Sequence, residues 1–159
     1  GSWIAQTAFR LIYDEVYLGL EPTLITKLYY EAFNIASREE FVGSVAKLES
    51  EEAPLYIKTL IGAFFKAAAM GDAPALAKTD EMAKRGAQFI AALANQMEFD
   101  GDEIEVVLSG SMHTKLPNDT YIAKLHDYAQ QMSGRKLRFI KLDKEPVIGC
   151  INWIFRQYK

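Results

Sequence analysis

Two short segments set the architecture of this chain: IEVVL at residues 104–108 and LRFIKL at residues 137–142. Each is rich in β-branched or aromatic apolar residues and predicts a strand. The first, which follows the turn Asp100-Gly101-Asp102, is predicted to be buried. Between them, apolar residues recur at helical spacing from Asn118, a predicted N-cap, to Gly134, a predicted helix end. A helix that crosses over between two strands predicts that the strands are parallel.

The other segments predict helices. Their signals are N-capping residues, apolar residues three and four apart, and Gly or Pro at the ends. The predicted helices run over 3–18, from Thr23 through Ile35, from the capping box Ser37-Arg38-Glu39-Glu40 to Leu48, from Pro54 to Gly71, from Asp72 to Met97, and from Pro146 onward. The aromatic residues predicted to pack in the core are Tyr56, Phe64, Phe65 and Phe89. We therefore predict a helix-rich α/β chain, a single domain over 1–159, with a helical part at 3–97 and a strand–helix–strand–helix part at 103–159.

Charge and composition exclude several classes of protein. The chain has 18 Lys and Arg against 21 Asp and Glu, a net charge of −3, without the basic excess typical of nucleic-acid binding. Its longest apolar stretch, Leu60–Met70, contains Lys66 and is shorter than the roughly 20 residues of a membrane span. The single cysteine, Cys150, and the lack of a signal peptide predict a soluble cytoplasmic protein.

A sheet of only two parallel strands is incomplete. Parallel sheets are normally covered on both faces and seldom stop at two strands, and unpaired strand edges invite aggregation. Further strands must come from elsewhere, either from another chain or from a larger α/β unit of which this chain is a part. We favour the second interpretation.

The segment with the character of a binding site is Ser109-Gly110-Ser111-Met112, directly after the first strand. Open α/β sheets bind ligands at the carboxyl ends of parallel strands. A glycine there allows a flat ring or a ribose to approach the backbone without a Cβ in the way. The alternative is that Gly110 only forms a tight turn, and its spacing alone leaves that alternative open.

Other chemistries find little support in the residues. Neither the phosphate-binding pattern G-x-x-x-x-G-K-[ST] nor the hydrolase pattern G-x-S-x-G occurs. A metal site built from His113, His126 and Asp119 would require a geometry that their spacing does not indicate. His126, on the crossover helix beside Asp127, is predicted to be solvated. Cys150 is predicted to be a buried, inert thiol.

Three segments resemble one protein family. VVLSGSM at residues 106–112 resembles the adenosine-contacting strand and turn of the actin-like superfamily of sugar kinases and ATPases, and most of all its branch of N-acetylglucosamine kinases and BadF/BadG/BcrA/BcrD ATPases. AAAMGDAPA at residues 67–75 resembles the A-x-x-G-D-x-x-A helix junction of that branch. PVIGCINW at residues 146–153 resembles its closing P-x-x-G-A helix, with Cys150 in place of alanine.

This resemblance implies a fold and a site. Proteins of this branch have two ribonuclease H-like halves that close around ATP, and the chain resembles most of the C-terminal half. Gly110 and Ser111 would line the adenine–ribose pocket, with Ser109 and Met112 flanking it, although Ser109 stands where many members have a glycine. The family's phosphate loops and catalytic aspartate have no counterpart here, so the resemblance assigns no catalytic residue to this chain. The helices before Asp72 resemble the region that these proteins use to form homodimers.

The function that follows from the resemblance is the nucleotide-binding part of an ATP-dependent sugar or amino-sugar kinase. Mg²⁺ would be held through the phosphates of ATP, with protein ligands outside this chain. One alternative is an ATPase that drives a redox partner, but its iron–sulfur cluster needs several thiolates and Cys150 is a single one. The other alternative is a non-catalytic α/β interaction module in which Gly110 has only a structural role.

Overall fold

The computed structural model describes residues 1–116, 118–142 and 145–157. The chain is helix-rich and contains a two-stranded parallel sheet, as the sequence predicts. The elements are α1 (Ser2–Leu18), α2 (Leu24–Phe33), α3 (Arg38–Gly43), a 3₁₀ turn (Ser44–Glu49), α4 (Ala53–Ala69), α5 (Ala73–Gln96), β1 (Glu103–Leu108), α6 (Ser111–Thr114), α7 (Thr120–Ser133), β2 (Lys136–Lys141) and α8 (Pro146–Gln157). They form two compact units, residues 1–81 and 82–159, and the boundary falls within α5.

The first unit is a helical cluster in which α4 packs against α1 and α2. Its core is aromatic: the buried ring of Phe41 stacks on Phe9 at 4.9 Å between centroids and meets Tyr29 edge to face at 6.1 Å. The other fully buried large side chains are Ile12, Ile25, Leu60 and Phe64. Ile12, Leu60 and Phe64 lie on the apolar stripes that helical spacing predicts for α1 and α4. For α2 the spacing predicts a core stripe of Leu24, Leu28, Ala32 and Ile35, and this is wrong, because the buried residues are Ile25 and Tyr29.

Local capping rules explain where these helices begin. The Thr23 hydroxyl accepts a hydrogen bond from the Ile25 N–H at 3.2 Å, as predicted for an N-cap. The Ser37 hydroxyl accepts one from the Glu40 N–H at 3.2 Å. The predicted capping box is wrong in one detail, because the Glu40 carboxylate accepts from the Ala36 N–H at 2.7 Å, one residue before the expected donor.

The helix predicted to run from Ser37 to Leu48 is shorter. It ends at Gly43 and the chain tightens into a 3₁₀ turn from Ser44. The buried Ser44 hydroxyl donates to the Phe41 carbonyl at 2.6 Å, which competes with the regular helical ladder, and Gly43 weakens the helix at the same point. Periodicity shows the apolar stripe through this segment and cannot distinguish the tighter turn from an α-helix.

The second unit contains the sheet. β1 and β2 are parallel, with Ile104 opposite Leu137 and Val106 opposite Phe139. The face that carries these residues packs against α5 and α7; the buried residues of this core are Ala83, Ala87, Leu108, Tyr121, Leu125 and Ala129. The strands were predicted over 104–108 and 137–142, so each prediction is correct to within one residue at each end.

The opposite face of the sheet is solvated and charged. Glu103 forms ion pairs with Lys136 at 3.0 Å and with Arg138 at 3.2 Å, and Arg138 also pairs with Glu105. Parallel strands are normally covered on both faces. The prediction of a buried strand at 104–108 is therefore wrong for one face of the sheet.

Two further predictions of burial are wrong. Phe89 lies on the outer side of α5 and is 59% exposed, although it shares the helical period of that helix. Cys150 is exposed on α8, where Val147, Ile151, Trp153, Ile154 and Phe155 are exposed as well. Within the described residues, this helix therefore has an apolar surface without a partner.

Candidate functional site

The turn after β1 has a conformation that requires glycine. Gly110 has φ +82° and ψ 156°, a region that residues with a Cβ rarely adopt. A Cβ placed there would meet no atom within 4 Å, so the space in front of the residue is open. The sequence left two explanations for this glycine, a tight turn and room for a ligand, and the geometry is compatible with both.

Side chains of α6 contact the backbone carbonyls of the turn. The Nδ1 atom of His113 lies 2.9 Å from the Ser109 carbonyl oxygen, and the Thr114 hydroxyl donates to the Gly110 carbonyl at 3.0 Å. The carbonyls of the turn therefore have partners, while the side chains of Ser109 and Ser111 are exposed. This arrangement leaves two hydroxyl groups beside an open glycine, which suits hydrogen bonding to a ribose or another polyol.

His113 also connects the turn to α7. Its Nε2 atom lies 3.4 Å from the hydroxyl of Tyr121, whose ring belongs to the core beneath the sheet. Burial raises the pKa of the Tyr121 phenol, so this hydroxyl stays protonated at neutral pH. From the sequence, His113 was weighed as a metal ligand, and this connecting role was not predicted. The available signal was its position four residues after Ser109 at a helix start.

Of the four predicted site residues, Ser109 and Gly110 lie in the turn, and Ser111 and Met112 are the first two residues of α6. Ser109, Gly110 and Ser111 are exposed, and Met112 is half-buried. In the described part of the chain, no three His, Cys, Asp or Glu side chains come together as metal ligands.

His126 has a different environment from the predicted one. Its ring stacks on Phe139 of β2 at 3.8 Å, and its Nε2 atom is buried with no hydrogen-bond partner among the described residues. Burial lowers the pKa of His126, and the Asp127 carboxylate opposes part of this shift. The prediction of a solvated histidine is wrong because this face of α7 packs on the sheet.

The lowered pKa of His126 predicts a pH-dependent stability. Below its ordinary pKa of about 6.5 the unfolded chain binds the proton more tightly than the folded chain, so protonation favours unfolding. We expect the stability of the 82–159 unit to be unaffected by this residue above that pH, to fall as pH decreases from about 6.5 towards the lowered folded pKa, and to level off below it. His126→Phe keeps an aromatic ring on Phe139 and should reduce this loss. Urea unfolding at a series of pH values tests it, and an unchanged pH slope in the variant would contradict it.

No protein family model, curated protein or solved structure matches this chain. The likeness to actin-like kinases therefore rests on the three segments quoted above. Among the described residues, no single helix is long and apolar enough to cross a membrane; α4 and α5 reach that length and hydropathy only when counted together across a sharp bend.

Proposed function

We propose that this chain is the nucleotide-binding C-terminal portion of an ATP-dependent sugar or amino-sugar kinase with ribonuclease H-like halves. The observation that carries the proposal is the open turn at Gly110, at the carboxyl end of a parallel strand, with the hydroxyls of Ser109 and Ser111 exposed beside it. The adenosine of ATP would lie against this turn, flanked by Met112.

The open edges and the uncovered face of the sheet support the interpretation that further strands complete it. Within the described residues, neither outer edge of the β1–β2 pair is bonded to a further strand, and no helix covers the charged face of the sheet. The apolar residues of α8, among them Ile151 and Phe155, are exposed although they would be favourable in a core. An N-terminal half that adds strands would also give α8 a surface to cover.

The chemistry assigned to this chain is binding and orientation. Phosphoryl transfer depends mainly on positioning and on electrostatic stabilisation of the phosphates. The turn would fix the adenosine so that the phosphates extend towards the other half, where Mg²⁺ and the catalytic base would be held. We place the activity in the cytoplasm, because a single exposed thiol, Cys150, suits a reducing compartment.

The test is a pair of glycine variants in the intact polypeptide that contains this chain, assayed with ATP and with N-acetylglucosamine or glucose as acceptor. Gly110→Val places a branched side chain in the open space at the turn and should raise the KM for ATP roughly tenfold with little change in kcat. Gly134→Val is the matched control. Gly134 also has a positive φ, +61°, and open space around it, but it precedes β2 and lies at the opposite end of the sheet.

Three results would contradict the proposal. They are an unchanged KM for ATP in Gly110→Val, an equal rise of KM in both variants, and the absence of ATP-dependent phosphorylation of either sugar. An equal rise would mean that backbone strain, and not occupation of the pocket, causes the effect. If the polypeptide hydrolyses ATP without phosphorylating a sugar, the alternative of an ATPase that drives another protein takes its place.

A further inference from the structure

Helix α5 carries a row of large apolar side chains that nothing in the described chain covers. Phe89 is 59% exposed, Leu93 57% and Met97 55%. They are spaced four residues apart and so form one ridge along the helix, here called the α5 ridge. Met97 belongs to it because its N–H still bonds to the Leu93 carbonyl at 3.1 Å. The side of α5 that packs under the sheet carries Ala83 and Ala87 instead.

The two ends of the α5 ridge carry opposite charges. At the start, the guanidinium carbon of Arg85 lies 4.7 Å from the centroid of the Phe89 ring, and the residue is exposed. After the end of the helix come three exposed carboxylates, Glu98, Asp100 and Asp102. A surface that is apolar in the middle, basic at one end and acidic at the other is complementary to an antiparallel copy of itself.

We propose that the α5 ridge is an isologous dimer interface that binds a second copy of this chain, with the two α5 helices antiparallel. A two-fold axis at Leu93 would bring Phe89 against Met97 of the partner subunit. It would also bring Arg85 next to the acidic segment 100–102 of the other copy. Ridges of residues four apart interdigitate in the commonest class of helix packing. This proposal does not depend on the proposed kinase function, and the surface is distinct from the helices before Asp72 that the family resemblance implies for dimerisation.

Sedimentation equilibrium of the 159-residue chain gives the first test. The chain should form a dimer. Leu93→Glu should raise its Kd by roughly a hundredfold, because two carboxylates would face each other across the axis in a desolvated contact. Leu55→Glu is the matched control, since Leu55 is also a leucine, is also 57% exposed, and lies on α4 among the helices before Asp72. It should leave the Kd unchanged.

Cross-linking gives a second test that does not depend on a destabilised contact. In a Cys150→Ser background, Leu93→Cys introduces the single cysteine of the chain. In the proposed dimer the two copies of this cysteine should face each other across the two-fold axis. This variant is therefore expected to form a disulfide-linked dimer on mild oxidation. A disulfide requires the Cα atoms of its two cysteines to lie close together, and the two-fold axis would bring the two Cα atoms at position 93 together. Gln88→Cys, on an exposed side of α5 away from the α5 ridge, should not.

Several outcomes would overturn the proposal. A chain that stays monomeric at all concentrations would mean that another polypeptide covers the α5 ridge. A dimer that survives Leu93→Glu and is lost in Leu55→Glu would place the contact on the helices before Asp72. Efficient cross-linking at position 88 and not at position 93 would exclude the antiparallel register. Circular dichroism of each variant establishes that it is folded.

Discussion

Asp72→Ala is expected to lower the free energy of unfolding of the 1–81 unit by about 3 kcal/mol. The buried carboxylate of Asp72 accepts three hydrogen bonds: from the Thr23 hydroxyl at 2.8 Å, from the Leu24 N–H at 2.7 Å and from the Ala75 N–H at 3.0 Å. It therefore caps α5 and the start of α2 together. Alanine would remove all three acceptor contacts, so the Thr23 hydroxyl and the Leu24 and Ala75 amides would each lose this partner.

The size of this effect follows from the charge and burial of the junction. A lost N-cap costs about 1 kcal/mol, and hydrogen bonds to charged groups about 1.5–3 kcal/mol each, with sums that are not additive. The Glu15 carboxylate holds the same helix start, since it accepts from the Thr23 N–H at 3.0 Å and from the Thr26 hydroxyl. When Asp72 is replaced, the negative charge of Glu15 still interacts favourably with the N-terminus of α2. We therefore expect a large loss of stability and not complete unfolding.

Urea unfolding followed by circular dichroism measures the effect, and two variants calibrate it. Asp72→Asn keeps one carbonyl acceptor and should lose less stability than alanine. Glu31→Ala removes one partner of an exposed ion pair with Lys27, 3.9 Å apart, and should change the free energy of unfolding by less than about 0.5 kcal/mol. A loss in Asp72→Ala as small as that in Glu31→Ala would show that the junction contributes little.

The same junction shows how far local sequence rules reach. Thr23 and Asp72 were each predicted as helix caps from their neighbours in the sequence, and both predictions are confirmed. Their hydrogen bond to each other joins residues 49 apart in the chain. No local pattern predicts such a contact, because it depends on how α2 and α5 meet after the chain has folded.

The errors in predicted burial have a common physical cause. Periodicity finds apolar stripes on a helix and does not say which stripe has a partner. On α5 the stripe of alanines at 83, 87, 91 and 94 is buried, because small residues let the helix approach its neighbours closely, and the larger Phe89 and Leu93 remain outside. His126 shows the opposite case, a polar residue that the register of α7 places on Phe139.

The candidate site was only partly predictable. A glycine just after a parallel strand indicates a turn at the carboxyl end of that strand, and the structure has a turn at Gly110. The hydrogen bonds from His113 and Thr114 to the carbonyls of the turn depend on α6, a four-residue helix that the sequence did not predict. Four residues are too few for periodicity to reveal a helix.

Leu125→Ala is expected to destabilise the 82–159 unit by about 3 kcal/mol. Leu125 is fully buried where α7 crosses α5, beneath the sheet. Its replacement removes the transfer free energy of the side chain and leaves a cavity, because the neighbouring elements can relax only in part. Amide hydrogen exchange in α7 and β1 measures the stability of this unit.

The neighbouring Gly86 makes this prediction sharper. A Cβ at Gly86 would lie 2.9 Å from Cδ1 of Leu125 and 3.4 Å from the Tyr121 hydroxyl oxygen, so Gly86→Ala alone crowds a packed core. The gain of about 1 kcal/mol that alanine normally brings over glycine inside a helix should then be offset by overpacking of about 1–3 kcal/mol. In the Leu125→Ala background the space is free, and the same substitution should stabilise by about 1 kcal/mol.

The double-mutant cycle therefore has a predicted sign. Gly86→Ala and Leu125→Ala together should be less destabilising than the sum of the two single changes. Leu125→Ala removes the side chain that the new Cβ at position 86 would crowd, and that Cβ fills part of the cavity that Leu125→Ala leaves. Gly62→Ala in α4 is the control. A Cβ there meets nothing within 4 Å, so its gain of about 0.5–1 kcal/mol, measured by amide exchange in α4, should be the same with or without Leu125. Strict additivity of Gly86→Ala and Leu125→Ala would mean that α5 and α7 are not in the close contact on which the core of this unit depends.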